Sequence, residues 1–219
     1  VDVLTPRTRA DLRRTLVDFK ARGVDLIIVA GGDGTVRDVL TCGGELWTHG
    51  APAIAVLPKG KTNALAIDLG IDADAGVADV IDAWHADRYT TRPAIEITRP
   101  GESDPPVRGF LFGAGIFVSA TDLAQTTHRF GAFNNVAVAL SMLGSIANVA
   151  FGLGGSGWRE GKRISIKAPG TDASQPGMEV EGERNRLIML VSTMHRLPLG
   201  VRPFGQERAG MKLLATEAP

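Results

Sequence analysis

Two short stretches concentrate the residues able to do chemistry. The first is Gly31-Gly32-Asp33-Gly34-Thr35, and the second is Pro58-Lys59-Gly60-Lys61-Thr62-Asn63. Three glycines leave no Cβ in the way of a phosphate approaching the backbone. A helix opening directly after such a loop aims unpaired N–H groups and its positive dipole end at the same place. A carboxylate at Asp33 would repel that phosphate unless a cation lay between them, which calls for a divalent metal such as Mg²⁺ held partly by nucleotide phosphates. A tight turn with Asp33 as a helix cap explains the same five letters, and short glycine-rich loops are weak signals alone. The second stretch is also polar and glycine-containing. Its Asn63 either caps the following helix or turns its amide toward a nucleotide.

The elements around these loops make them neighbours. Asp25–Ala30 and Ala53–Leu57 are apolar runs rich in β-branched residues, which read as strands buried on both faces of a parallel sheet. Each loop follows one of these strands and precedes a helix: one carrying Val36, Val39 and Leu40, the other over Asn63–Leu69. Ligands of open α/β sheets bind beyond the carboxyl ends of strands, where both loops lie. Upstream, Val1–Leu4 is a short apolar run ended by Thr5-Pro6. Leu12, Leu16 and Phe19 then mark one face of an amphipathic helix that Gly23 ends. Asp74 is expected to cap a further helix carrying Val77, Val80, Ile81 and Trp84. Alternating strands and helices predict a parallel α/β sheet with helices on both faces.

The pattern changes near Thr90. Ala94–Thr98, Arg163–Lys167, Met178–Glu181 and Leu187–Val191 are strand candidates separated by Pro- and Gly-containing turns, and Asn135–Phe151 is a helical segment. This predicts an α/β domain over 1–91 and a mostly antiparallel, β-rich, sandwich-like domain over 92–219. No internal repeat is visible.

Composition narrows the partners. The 219 residues are 44% hydrophobic, with 24 basic and 24 acidic side chains, which describes a globular chain with ample core material and excludes low-complexity disorder. A net charge of zero argues against a general nucleic-acid binder, whose affinity comes from neutralising phosphates. The 1–91 segment carries 10 basic and 13 acidic groups, a tilt too small to name a partner. A single cysteine, Cys42, permits no intrachain disulfide and fits a reducing, cytosolic setting. No signal peptide is read at the N-terminus. The most lipid-like stretch, 136–151, falls short of the roughly 20 apolar residues that a spanning helix needs.

Several patterns imitate function. Ala55–Thr62 almost spells a P-loop, but Ala55 lies in the strand and Pro58 breaks the cradle. Gly152–Gly157 fits a dinucleotide fingerprint by letter, with no strand before it. His49, His85, His128 and His195 share no ligand spacing. Thr127-His128-Arg129 is a weaker candidate for a lipid or phosphate site. Arg129, Arg159, Lys162 and Arg163 either attract anionic lipid or form a solvated face.

Gly31–Thr35, continued by Asp38-Val39, and then Pro58-x-Gly60-x-x-Asn63-x-x-Ala66, resemble the catalytic region of the diacylglycerol kinase and sphingosine kinase family. That family shares its Gly-Gly-Asp-Gly loop with NAD kinases and phosphofructokinases. The resemblance implies ATP-dependent transfer of the γ-phosphoryl group to a lipid hydroxyl, such as that of diacylglycerol or a sphingoid base, at a membrane surface. Gly31, Gly32, Gly34 and Thr35 would hold the nucleotide phosphates, with catalytic Asp33 ordering Mg²⁺. Asp38, Gly60, Lys61, Thr62 and Asn63 would complete an ATP pocket between the two domains. Asp38 stands where the family usually has Glu, and Lys61 where it has Thr. The family's opening Asn-Pro strand and its C-terminal Asp-Gly-Glu have no clear counterpart, and Glu181-Gly182-Glu183 reads as a turn. A chain lacking both ends of a longer protein is therefore expected. It would be cytoplasmic, peripheral at the membrane, not transmembrane, and compatible with a homodimer. Two alternatives stay open: phosphorylation of a soluble hydroxyl, as in NAD kinases, and a catalytically silent lipid- or nucleotide-binding protein.

Overall fold

The structure is a computed structural model, and it describes residues 2–47, 50–101, 103–115, 161–166, 183–200, 202–205 and 209–218. The expected elements at 135–151 and 178–181, the Gly152–Gly157 pattern, Thr127–Arg129, and Glu181 and Gly182 lie outside these residues.

Helix α1 (Arg9–Ala21) opens at a capping box. The Thr8 hydroxyl accepts from the Asp11 N–H at 3.1 Å while the Asp11 carboxylate accepts from the Thr8 N–H at 3.1 Å. The hydrogen bond from the Thr8 hydroxyl holds the Asp11 carboxyl below its usual range. Gly23, at φ +65°, supplies the left-handed residue just past the helix end, as its position in the sequence suggested. Leu16 is fully buried on the inner face, with Leu12 and Phe19 packed beside the core.

Strand β1 (Leu26–Gly31) lies parallel to β2 (Ala53–Pro58), in register from Leu26 opposite Ala53 to Gly31 opposite Pro58. Burial alternates along β1: Ile27 and Val29 are buried, Leu26 and Ile28 half-buried, and Ala30 exposed. The expected burial on both faces is therefore only partial. Ile27 and Val29 point to the face that joins the core cluster, and the opposite face of β1 is covered less completely. Helix α2 (Asp33–Gly43) follows β1 and places Val36 and Val39 in the core. Helix α3 (Ala64–Leu69) follows β2 and buries Ala64, Leu65 and Ala66. These residues and Met194 form one cluster with Leu16, Ile27, Val29 and Val56. Helix α4 (Val77–His85) starts after Gly76 and not at the Asp74 cap expected. The capping carboxylate comes from inside, where Asp79 accepts from the Gly76 N–H at 2.8 Å. Val3 and Leu4 are exposed and belong to no strand.

Strand β3 (Ile95–Ile97) pairs antiparallel with β4 (Val107–Gly109). A further sheet runs β5 (Leu111–Gly115), β7 (Glu183–Ser192), β6 (Lys162–Ser165), with β8 (Lys212–Glu217) also pairing β7. β6 and β7 are antiparallel, from Lys162 opposite Arg186 to Ser165 opposite Glu183. β7 takes in the four polar residues Glu183–Arg186 ahead of the apolar run 187–191, because their backbone pairs with Ser165–Lys162 of β6. The mixed α/β class with one parallel pair and further sheets agrees with the sequence reading. By contacts the chain forms two compact units, residues 1–111 with 192–211, and residues 112–191 with 212–219. No described helix is long and apolar enough to cross a membrane.

Candidate functional site

The parallel register brings the two loops together. Because Gly31 stands opposite Pro58, the chain leaves both strands at the same level of the sheet. The Lys59 N–H donates to the Gly31 carbonyl at 3.2 Å, continuing the ladder by one step into the loops. Beyond it the backbones nearly touch: a Cβ built on Gly32 would stand 2.8 Å from the Gly60 Cα. Any side chain at either position would force the loops apart. A Cβ on Gly31 would meet the Thr35 hydroxyl at 2.6 Å, whereas one on Gly34 meets nothing within 4 Å.

Asp33 locks this arrangement. One carboxylate oxygen accepts from the Ala64 N–H and the other from the Leu65 N–H, each at 3.0 Å. The side chain at the start of α2 thus caps α3, with a carboxylate at a helix's positive end. Of the two roles expected for Asp33, a helix-capping one is present, but the capped helix is the neighbouring one. Each oxygen keeps a second lone pair, so the carboxylate can still accept from a water or face a cation. Gly32, the N-cap of α2, has no side chain to make a cap bond. The Thr35 and Val36 N–H groups both donate to the Gly32 carbonyl, at 2.9 and 3.2 Å. Helix geometry leaves the Asp33 and Gly34 amides without intrahelical acceptors.

Asn63 sits at the start of α3 in left-handed backbone, φ 51° and ψ 40°, a conformation Asn tolerates better than most residues. Its side chain makes no cap bond. Instead Oδ1 accepts from the Gly60 N–H at 2.8 Å and Nδ2 donates to the Gly60 carbonyl at 2.9 Å, closing residues 60–63 into a tight loop. Lys61, Thr62 and Thr35 are exposed. Asp38 lies one turn beyond Gly34 on α2, where its Oδ1 accepts from Arg9 and Arg37, each at 3.0 Å. Gly31–Thr35 and Gly60–Asn63 are thus contiguous, and Asp38 stands on the flank with its charge already paired. Among the described residues no group of three His, Cys, Asp or Glu could hold a metal alone.

Sequence reasoning missed Asp68. Its side chain has no exposed surface. Oδ1 accepts from the His195 and Arg196 N–H groups at 2.6 and 2.7 Å, while Oδ2 is forked by Arg92 through Nε at 3.0 Å and Nη2 at 2.9 Å. Four donors satisfy one buried carboxylate and tie α3 to two distant segments. A lone acid inside the apolar run Ala64–Ile71 was the available signal. Cys42 is buried against the Arg9 carbonyl, 3.8 Å from Sγ, and burial, with the Asp38 charge adding to it, raises its thiol pKa.

Comparison with known proteins converges on one group. The family model described as Diacylglycerol kinase catalytic domain matches residues 1–90. A 63-residue stretch is 35% identical to "Probable lipid kinase YegS" of Salmonella heidelberg (strain SL476), and equally to that of Salmonella schwarzengrund (strain CVM19633). The aligned stretch covers 29% of this chain and 21% of each relative. A solved diacylglycerol kinase from Bacillus anthracis str. Sterne matches over 98% of this chain with a TM-score of 0.52 and 17% identity. A second solved chain from that organism reaches 0.58 at 15% identity. This chain spans 61% and 64% of their lengths, and the likeness to them is one of fold.

Proposed function

We propose that this chain carries the nucleotide-binding part of an ATP-dependent lipid kinase, a reading supported by the match of residues 1–90 to the model described as Diacylglycerol kinase catalytic domain. It would transfer the γ-phosphoryl group to a lipid hydroxyl, such as that of diacylglycerol or a sphingoid base, working peripherally at the cytoplasmic face of a membrane. The reading assigns nucleotide binding to residues 1–91 and lipid binding to residues 92–219. The observation that carries it is the contact of Gly32 with Gly60, with Asp33 bridging to the Ala64 and Leu65 amides. That contact builds one surface from two strand ends, with backbone amides and a single carboxylate at its rim.

The donor set fits a triphosphate. The Asp33 and Gly34 amides and the α2 dipole face negative charge, Lys59 and Lys61 flank Gly60, and nothing crowds the Gly34 Cα. Gly31, Gly32, Gly34, Thr35, Gly60, Lys61, Thr62 and Asn63 would line the nucleotide. Mg²⁺ would be held mainly by the phosphates, with the remaining lone pairs of Asp33 ordering its shell, and bound Mg-ATP supplies the phosphoryl group and the neutralising charge. The chain's own contribution is positioning and electrostatic stabilisation, which together dominate the catalysis of phosphoryl transfer. Asp38, paired with Arg9 and Arg37, would tune charge at the flank.

A second reading, a silent lipid- or nucleotide-binding protein, draws support from one feature. Both Asp33 oxygens already serve the α3 cap. Transfer of labelled phosphate from ATP to diacylglycerol, a sphingoid base or NAD separates the cases. The kinase reading expects a labelled lipid, labelled NAD would mark the soluble-hydroxyl alternative, and no transfer with retained ATP binding would leave the silent protein. In the first case Asp33→Asn, which keeps one acceptor oxygen but removes the charge, is expected to lower transfer by at least about 100-fold, the scale of losing one positioned electrostatic group. Near-normal turnover in that variant would remove Asp33 from catalysis.

A further inference from the structure

We propose that a cavity lined by Thr91, Arg92, Pro93, Thr193, His195 and Gly210, all within the first compact unit, is a binding site for a phosphate group, free or as a phosphomonoester. The cavity measures about 180 Å³, far above the roughly 10–15 Å³ that one water requires. Every described polar side chain on its wall can donate a hydrogen bond: a guanidinium, an imidazole and two hydroxyls. None of the described lining residues is a carboxylate.

Asp68 is the acid bonded to these wall residues, and it cannot compete for a ligand. Its side chain is fully enclosed and its oxygens already accept from four N–H groups. Its role toward the cavity is to build it. By gripping the His195 and Arg196 amides and two nitrogens of Arg92, it fixes both the imidazole's backbone and the guanidinium's fork before any ligand arrives. Arg92 spends two of its five donors on Asp68 and retains three. Gly210 adopts φ +84°, which lets the chain turn at the cavity wall where a side chain would be strained.

The polar atom that asks for a ligand is His195 Nδ1. It is buried and has no hydrogen-bond partner among the described residues. Orphaned buried nitrogens are rare in folded proteins because desolvation is then uncompensated. A tetrahedral oxyanion in the cavity would meet the guanidinium in a charge-assisted contact, and a turn of the enclosed imidazole would bring Nδ1–H to it as a further donor. This inference uses neither the Gly31–Thr35 loop nor ATP, so it stands or falls separately from the kinase reading.

The test uses the whole chain without nucleotide and two probes, inorganic phosphate and dihexanoyl phosphatidic acid below its micellar concentration. The His195 ring resonances are followed by ¹H–¹⁵N NMR, and affinity by calorimetry. A saturable shift of the His195 nitrogens is expected, with His195→Ala binding at least about tenfold more weakly, the scale of one hydrogen bond to a charged group. Tighter binding of the ester would identify a lipid phosphate as the source, and tighter binding of inorganic phosphate a free anion. Silence of His195 toward both probes, or equal affinity in His195→Ala, would overturn the site. Should that variant fail to fold, Thr91→Val carries the same test, with weakened binding expected and unchanged binding overturning the proposal.

Discussion

At the scale of the residue, the four glycines at the strand ends are there for different reasons. Gly32 and Gly60 are required by each other, since the backbone of one occupies the place of the other's Cβ. Gly31 yields to the Thr35 side chain, which stands 2.6 Å from its would-be Cβ. Gly34 has no such neighbour, and it sits in the first turn of a helix, where alanine is favoured by up to about 1 kcal/mol. A glycine that the fold does not need is best explained by something outside the fold that approaches closely, such as a phosphate. Gly34→Ala should therefore melt at or slightly above the parent temperature yet bind ATP at least about tenfold more weakly, as steric exclusion of a phosphate predicts. Gly32→Ala, by contrast, should lose about 1–3 kcal/mol of stability through overpacking, seen as a lower denaturant midpoint. Undiminished ATP affinity in Gly34→Ala would move the phosphates away from the α2 N-terminus.

At the scale of the element, α3 is a helix of six residues held from outside at both ends. Asp33 satisfies its first amides, and its own Asp68 anchors the far end to Arg92 and to residues 195–196. Such a helix is too short to persist by propensity, so these contacts decide whether it forms. Asp68→Asn keeps an acceptor for the two amides but turns an N–H₂ toward the guanidinium. Losing one partner of a nearly buried ion pair is expected to cost about 3 kcal/mol, read as a shift in the urea midpoint at constant slope. A change below about 0.5 kcal/mol, the level of an ordinary surface substitution, would show the clamp to be incidental. These two ends also mark what was legible in the sequence. The strands, the helices after them and the adjacency of both loops follow from apolar periodicity and turn residues, which are local signals. The bonds of Asp33 to α3 and of Asp68 to His195 join residues 31 and 127 positions apart, and no spacing rule encodes such pairs. The Asp74 cap failed at closer range, because Asp79 reaches back to Gly76 and starts α4 two residues later than an Asp74 cap would.

At the scale of the molecule, the first compact unit is not continuous in sequence. The change of pattern near residue 91 marks where helices give way to strands, whereas the unit takes in residues 1–111 and regains the chain at 192–211. The returning segment brings the buried Ser192, Thr193 and Met194, the last a member of the core cluster, together with the two amides that satisfy Asp68. It also re-enters beside the point of departure: the Thr193 N–H and the Ser192 hydroxyl both donate to the Phe110 carbonyl, at 3.1 and 2.9 Å. A chain ending at residue 111 would leave the Asp68 carboxylate short of two donors and the core short of Met194. Losing two hydrogen bonds to a buried charge costs on the order of 3 kcal/mol or more, a large share of the 5–15 kcal/mol that stabilises a typical domain. Residues 1–111 alone should thus unfold at markedly lower denaturant, or without a sharp transition. Joining residue 111 to residue 192 through a short Gly-Ser linker should restore cooperative unfolding, because Phe110 and Thr193 already lie within one hydrogen bond of each other. Circular dichroism through a urea titration compares the two directly, and equal midpoints would mean that residues 1–111 are self-sufficient and the returning segment is an accessory to their fold.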